Sequence, residues 1–219
     1  MPVKGIIFDM DNTLLQSRID FAAMKRHIYE HLTDLRLLGA DFPLHEHTSA
    51  TMIEHAREAG LTETGYTEVM GIAAQHELRG MEGAGLEPGA RELLETLRGT
   101  YTLAVVTNNS CIAAVKALQL TGIEDRFGLI AGREQMTALK PSPSGFLHVL
   151  EQFPHIRREE WISVGDSWID GKGSIGAGLA FISYKTGMDV MRSKGVEPAG
   201  RIDALEELTA WLAAWEDLR

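Results

Sequence analysis

A chain of 219 residues is long enough to bury a sizeable core and to carry an insertion within it, and 44% hydrophobic with 24% charged residues is the composition of an ordinary globular protein. Its 31 acidic against 21 basic residues give a formal charge of -10, which disfavours a nucleic-acid backbone or an anionic membrane as partner but leaves room for a small anionic substrate held by local cations. The single Cys111 excludes an internal disulfide framework, and no basic segment followed by an apolar one opens the chain. No apolar run reaches the roughly 18 residues that span a bilayer, so a reducing cytoplasm is the expected location.

Residues 3–8 form a near-continuous apolar run, the pattern of a strand covered on both faces, and Asp9-Met10-Asp11-Asn12-Thr13 follows as a polar turn. From Ile19 the apolar spacing becomes helical through Phe21, Met24, Ile28, Leu32 and Leu35, with Gly39 as the stop signal. Further helices are expected over about 45–59 and 64–78, and no convincing strand falls between 17 and 85. Glu87-Pro88-Gly89 marks the end of this helical block. Strands are then expected at 101–106, 127–131, 161–164 and 179–183, alternating with helices over about 90–98, 110–120 and 144–153, and a last helix covers about 205–218. Alternating strands and helices imply an α/β fold, a doubly wound, Rossmann-like parallel sheet, with an all-α domain spliced in after the first strand. The expected division is a core of residues 1–16 and 87–219 and a helical cap of residues 17–86, hinged at Ser17-Arg18 and Glu87-Pro88-Gly89.

Each strand end delivers polar residues: Asp9 and Asp11 after the first, Thr107, Asn108 and Asn109 after the second, Gly165, Asp166, Ser167 and Asp170 after the fourth. Lys140 stands before Pro141 at a helix start. The carboxyl ends of parallel strands share one edge of the sheet, so these residues converge on one crevice. Paired carboxylates at the rim of an apolar core are costly unless a cation or a reaction requires them.

Asp9-Met10-Asp11-Asn12-Thr13-Leu14, the strand-terminal Thr107, Lys140 with its following proline, and Gly165-Asp166-Ser167-Trp168-Ile169-Asp170 resemble the four ordered motifs of the haloacid dehalogenase superfamily. The match runs from Val3 to about Ser183, and the helical block sits where that family places its cap. The resemblance is to its phosphoglycolate phosphatase-like branch. It implies a phosphoric monoester hydrolase acting on a small phosphorylated metabolite, phosphoglycolate-like or a sugar phosphate, as a monomer or homodimer. By this resemblance Asp9 is the nucleophile that forms an aspartyl phosphate and Asp11 the acid and then base. An aspartate at position 11 favours phosphoryl transfer over dehalogenation, which needs no proton donor there. The resemblance further implies Mg²⁺ held by the carboxylates of Asp9 and Asp166 and the main-chain carbonyl of Asp11, with Asp170 in an outer role, orienting a water or Lys140. Thr107, the amide of Asn108 and Lys140 would bind the phosphate oxygens and offset their charge.

Two departures from the family pattern stand out. Asn12 replaces a frequent glycine, and asparagine is the residue that best tolerates positive φ. The run Gly171-Lys172-Gly173-Ser174-Ile175-Gly176-Ala177-Gly178 is glycine-rich for a helix, so a loose or late-starting helix is expected. Gly173 interrupts any nucleotide-binding loop pattern at 171–174. His27 with His31, His45 with His47, and His76-Glu77 lack the further ligands of a zinc site, so ordinary histidines are expected. Cys111 reads as a packed residue and Trp211 and Trp215 as anchors of the last helix. Arg18, Arg26 and Arg36 are the cap residues available for a second substrate charge. The rivals are a phosphomutase of the β-phosphoglucomutase type, which would need a cap-borne base, and a non-catalytic phosphate-binding module, which has no use for both Asp9 and Asp11.

Overall fold

The computed structural model describes residues 2–217, which form two compact units: residues 2–17 with 84–217, and residues 18–83. In the larger unit the first strand, β1 (Gly5–Phe8), is buried at all four residues. A two-residue strand, β2 (Leu15–Gln16), follows the polar turn. In the smaller unit all regular elements among the described residues are helices: α1 (Phe21–Asp34), α2 (Ser49–Glu58) and α3 (Glu63–Met81). The chain then gives β3 (Gly85–Leu86), α4 (Ala90–Leu97), β4 (Thr102–Val106), α5 (Cys111–Leu120), β5 (Leu129–Ala131), α6 (Ser144–Gln152), β6 (Trp161–Gly165), α7 (Trp168–Gly176), β7 (Ala180–Tyr184), α8 (Met188–Ser193), β8 (Gly200–Ile202) and α9 (Glu207–Asp217).

Six strands form one parallel sheet in the order β5-β4-β1-β6-β7-β8, and β2 pairs antiparallel with β3. In the central ladder Phe8 lies opposite Val105 on one side and Val164 on the other. The order runs outward from β1 through β4 to β5, then restarts at β6 on the other side. The carboxyl end of β1 therefore opens at the reversal point, where doubly wound sheets leave a crevice. Phe146 and Val149 of α6 pack with Ile7, Ala104 and Val106 of the sheet, while Phe181 of β7 packs with Met191 of α8 and with Val196.

In the smaller unit, Met24, Ile28 and Leu32 form the buried stripe of α1, whereas Phe21 and Leu35 at its two ends are exposed. The helix ends before Leu35 because Arg36 turns left-handed at φ 61, three residues ahead of the glycine expected to stop it. Helix α2 starts at Ser49, later than the spacing predicts. Thr48 and Thr51 exchange side-chain to backbone hydrogen bonds at 3.1 and 2.9 Å, a reciprocal cap that fixes the first turn. The Lys25 ammonium donates to the carbonyls of Leu44 and His47 at 3.0 and 2.9 Å, which ties the preceding loop to α1.

The glycine-rich segment is helical through Gly176, contrary to the expectation of a loose or late start; α7 opens at Trp168, directly after the Asp166-Ser167 turn. Its glycines are contact points. A Cβ on Gly171 would lie 2.5 Å from Val196 Cγ1 and one on Gly173 would lie 2.7 Å from Phe146 Cε2. An intrinsic cost of about 1 kcal/mol per glycine is therefore accepted because any larger residue would hold the helix off its neighbours. Four short elements, β2, β3, α8 and β8, leave no mark in the sequence pattern, being too brief for a period to register. In α9, Leu205 just ahead of it and Leu208 and Leu212 within it are buried. Trp211 and Trp215 are only half-buried and stack on each other at 4.8 Å, so they brace the helix rather than anchor it in the core. Leu218, the expected end of this helix, lies outside the described residues.

The sheet's lower edge is locked by Glu160, whose buried carboxylate accepts from Arg157 N at 2.9 Å, Arg157 Nη2 at 3.1 Å and Lys4 Nζ at 2.9 Å. The Arg157 side chain, then Lys4 and the Arg157 amide, hold its carboxyl at about 2, below the ordinary 4.5. A depressed acid stabilises the fold above its unfolded value and loses that contribution as pH falls through its folded one. Glu160→Gln is expected to lower the melting temperature at neutral pH, with the gap to wild type closing between about pH 4.5 and 2; a gap that stays constant across that range would contradict this assignment.

Candidate active site

All the residues singled out from the motifs lie in the larger unit, on loops at the carboxyl edge of its sheet except Asp170, which lies in the first turn of α7. Asp9 still belongs to the ladder, its N–H donating to Val164 O at 2.9 Å. The next residues fold back on themselves, with the Met10 carbonyl accepting from Leu14 N and Leu15 N, both at 2.9 Å, and Asn12 adopting φ 58, as its identity allows. This turn brings Thr13 Oγ1 within 3.2 Å of Asp9 Oδ2.

The centre of the site is Lys140. Its ammonium, 2% exposed, lies 2.5 Å from Asp9 Oδ1 and 2.7 Å from Asp170 Oδ1 and donates to Val106 O at 2.9 Å. The approach to Asp170 is a buried ion pair. Burial alone would lower the lysine pKa, and the carboxylates of Asp170 and Asp9 outweigh it, so Lys140 is held firmly charged. The backbone of Lys140 is clamped by Asn108, whose Oδ1 accepts from Lys140 N at 2.8 Å and whose Nδ2 donates to Lys140 O at 3.1 Å.

Asp170 also closes the first turn of α7, its Oδ2 accepting from Ser167 N at 3.0 Å. It is thus both a helix-capping residue and a partner of Lys140. One oxygen each from Asp9, Asp166 and Asp170 lie within 4.8 Å of one another. Among the described residues no other set of three histidine, cysteine or acidic side chains gathers so closely; His27 faces His76 at 2.9 Å and His31 faces Glu68 at 3.0 Å, in pairs. Burial first, then repulsion from Asp9, pushes the carboxyls of Asp166 and Asp170 well up, and the charge of Asp170 adds to the rise at Asp166. Two carboxylates about 5 Å apart repel by about 3 kcal/mol at an effective dielectric of 20. Three hard oxygen donors in that state fit a small divalent cation, which would relieve the repulsion that otherwise protonates them.

Asp11 lies apart from that trio. Its Oδ2 accepts from Asn109 Nδ2 at 2.7 Å. Burial first and the charge of Asp9 second raise its carboxyl from 3.8 to about 7, with the Ser17 hydroxyl, Lys140 and Asn109 offsetting only part of the rise. A carboxyl that changes charge near neutrality can give a proton and take one back. Thr107, at the end of β4, is fully buried; its Oγ1 accepts from Asn109 N at 3.2 Å. Two residues of the site were not singled out by the motif reading: Asn109, which orients Asp11, and Arg133, a buried cation whose Nη1 donates to Asn108 O at 3.3 Å. Asn109 stood in the polar cluster after the second strand. Arg133 carried no local signal, because it follows a strand of only three residues.

A doubly wound parallel sheet with a carboxylate trio and a buried lysine at its reversal point defines an α/β enzyme of the Rossmann-like class. The model of the haloacid dehalogenase-like hydrolase family matches residues 6–184, and the chain belongs to that family. It is similar to a phosphoglycolate phosphatase of Chromobacterium violaceum, 31% identical over 195 residues that cover 84% of this chain and 86% of the relative. It is also 31% identical over 122 residues to the pyrimidine 5'-nucleotidase YjjG of Escherichia coli, covering 55% of this chain and 54% of that protein. The crystal structure of a predicted phosphoglycolate phosphatase from Haemophilus somnus shares the fold, with a TM-score of 0.66 at 23% identity over 95% of this chain and 97% of that one.

Because its folded-state carboxyl is raised, Asp11 costs stability progressively as pH climbs from about 4 through about 7. Asp11→Asn removes that cost. With chelator present, the variant is expected to melt above wild type at about pH 8 and together with it below about pH 4; a variant no more stable at the higher pH would count against a buried, raised carboxyl.

Proposed function

We propose that this chain is a Mg²⁺-dependent phosphatase that hydrolyses a small phosphorylated metabolite through a phosphoryl group carried on Asp9. The observation that supports this most directly is the division of labour within one turn: Asp9 sits against the Lys140 ammonium and the acidic trio, whereas Asp11, two residues on, is a buried carboxyl raised to about 7. One lies against a fixed positive charge and the other is placed to exchange a proton.

The carboxylate of Asp9 attacks phosphorus, the bond from phosphorus to the ester oxygen breaks, and the Asp11 carboxyl protonates that oxygen so that the alcohol leaves. Asp11, now a carboxylate, takes a proton from water. The resulting hydroxide attacks the same phosphorus, inorganic phosphate departs, and both side chains return to their starting states. The Thr107 hydroxyl, the Asn108 amide and the Lys140 ammonium bind the phosphoryl oxygens, and Asn109 keeps Asp11 aimed. Mg²⁺ held by Asp9, Asp166 and the Asp11 carbonyl would neutralise and orient the phosphate dianion, with Asp170 holding Lys140 in place.

Similarity to phosphoglycolate phosphatases over most of the chain supports a substrate with a second anionic group, phosphoglycolate-like or a sugar phosphate. The helical unit of residues 18–83 is the cap that selects it, with Arg18, Arg26 and Arg36 as the cations available to that second charge. Among the described residues no helix is long and apolar enough to cross a membrane. The protein works in the cytoplasm as a monomer or homodimer, with neither nucleic acid nor membrane as partner.

Purified protein is expected to release phosphate from p-nitrophenyl phosphate when Mg²⁺ is supplied and to stop when it is chelated. Asp9→Asn should lose at least about 10³-fold in kcat, as removal of a covalent nucleophile does. Full turnover in that variant, or turnover indifferent to chelator, would refute the mechanism. A panel of phosphorylated acids and sugars then ranks substrates by kcat/KM.

A further inference from the structure

The side chain of Asp166 takes its direction from the backbone that carries it. Asp166 follows the last residue of β6, beyond the ladder, and the peptide unit joining it to Ser167 is held at both ends. Ser167 N donates to Asp170 Oδ2 at 3.0 Å, and the Asp166 carbonyl accepts from Thr186 Oγ1 at 2.6 Å. Thr186 lies in a tight turn after β7: its N–H donates to Tyr184 O at 2.7 Å and its carbonyl accepts from Ser183 Oγ at 2.8 Å. That turn exists because Lys185 adopts φ 61, a conformation glycine takes far more readily than lysine.

Lys185 is kept there from three directions. Its N–H donates to Ile202 O at 2.8 Å, its carbonyl accepts from Arg201 Nη2 at 3.2 Å, and its ammonium pairs with Glu87 at 2.8 Å. Glu87 is only 6% exposed and also accepts from Tyr184 Oη at 3.2 Å. Its own N–H donates to Leu14 O at 2.9 Å, in the turn that follows Asp9 and Asp11. A continuous strap thus runs from the loop of Asp9 through Glu87, Lys185 and Thr186 to the carbonyl of Asp166. It spans the two loops whose carboxylates face each other.

We propose that Glu87, Lys185 and Thr186 are positioning residues that set the cation affinity of the acidic trio, in which Asp9 and Asp166 are the ligands and Asp170 holds Lys140, by fixing the peptide that carries Asp166. The proposal rests on the reading of that trio as the cation site. None of the three residues touches substrate; they act through Asp166. Outer partners of this kind typically change metal affinity 10–100-fold when removed.

The test is Mn²⁺ binding to the full chain, read from the electron paramagnetic resonance signal of free Mn²⁺, with no turnover required. Thr186→Val is expected to raise the dissociation constant about tenfold, Thr186→Ser to restore it to within about twofold, and Glu87→Gln to fall between them. Circular dichroism checks that each variant is folded. Folded Thr186→Val with wild-type affinity overturns the proposal; should that variant not fold, Glu87→Gln with wild-type affinity does so instead. Wild type that binds no Mn²⁺, or Asp166→Asn that binds as well as wild type, would remove the reading of the trio on which the strap depends.

Discussion

The structure of the site depends on placing more negative charge than positive at the edge of an apolar sheet. Lys140 carries the principal compensation, in contact with Asp9 and Asp170 and nearly inaccessible to water. A buried ion pair of this sort contributes little net stability, because desolvating both partners costs several kcal/mol that their attraction only returns with good geometry. Its value is in specificity of arrangement. Removing one partner leaves an uncompensated charge, so the loops carrying Asp9, Lys140 and Asp170 are held in register by the penalty for separating them. One ammonium cannot neutralise the remaining carboxylates, and that residual imbalance creates the demand for a cation.

The same imbalance separates two chemically identical side chains. Asp9 sits beside the ammonium, whereas Asp11 is buried beside a neutral amide, and that burial first and the charge of Asp9 second raise Asp11 to about 7. The fold supplies the difference through the turn that begins at Asp9. Met10 is buried and its carbonyl gathers three amides, so Asp9 stays with the strand while Asp11 is turned toward Asn109. A single residue between the two carboxylates is what allows the reversal.

Much of this was legible from residue order. The buried strand before Asp9, the polar cluster after 106 and the Gly-Asp-Ser segment at 165–167 each announced a strand end, and parallel topology puts strand ends together. Asparagine at 12 in a left-handed turn followed from local chemistry alone. The misjudged elements share a cause. The glycines of α7 look like weak helix formers locally and are required by contacts to Phe146, Phe181 and Val196; the stop at Arg36 and the late start of α2 were set by turn and cap geometry that a spacing of apolar residues does not encode.

By itself the sequence determined the class of fold, the edge on which the site is built and the residue types gathered there, because strand period, turn chemistry and carboxylate spacing are local properties. Only the tertiary structure decided which partner each group received. Asn109 meets Asp11 across 98 positions, Lys140 meets Asp9 across 131, and Lys185 meets Glu87 across 98. Such pairings follow from strand order and register, which are settled by packing the whole sheet and not by any segment of it. Proton affinity and cation affinity are sums over those distant neighbours, and so both are properties of the folded chain.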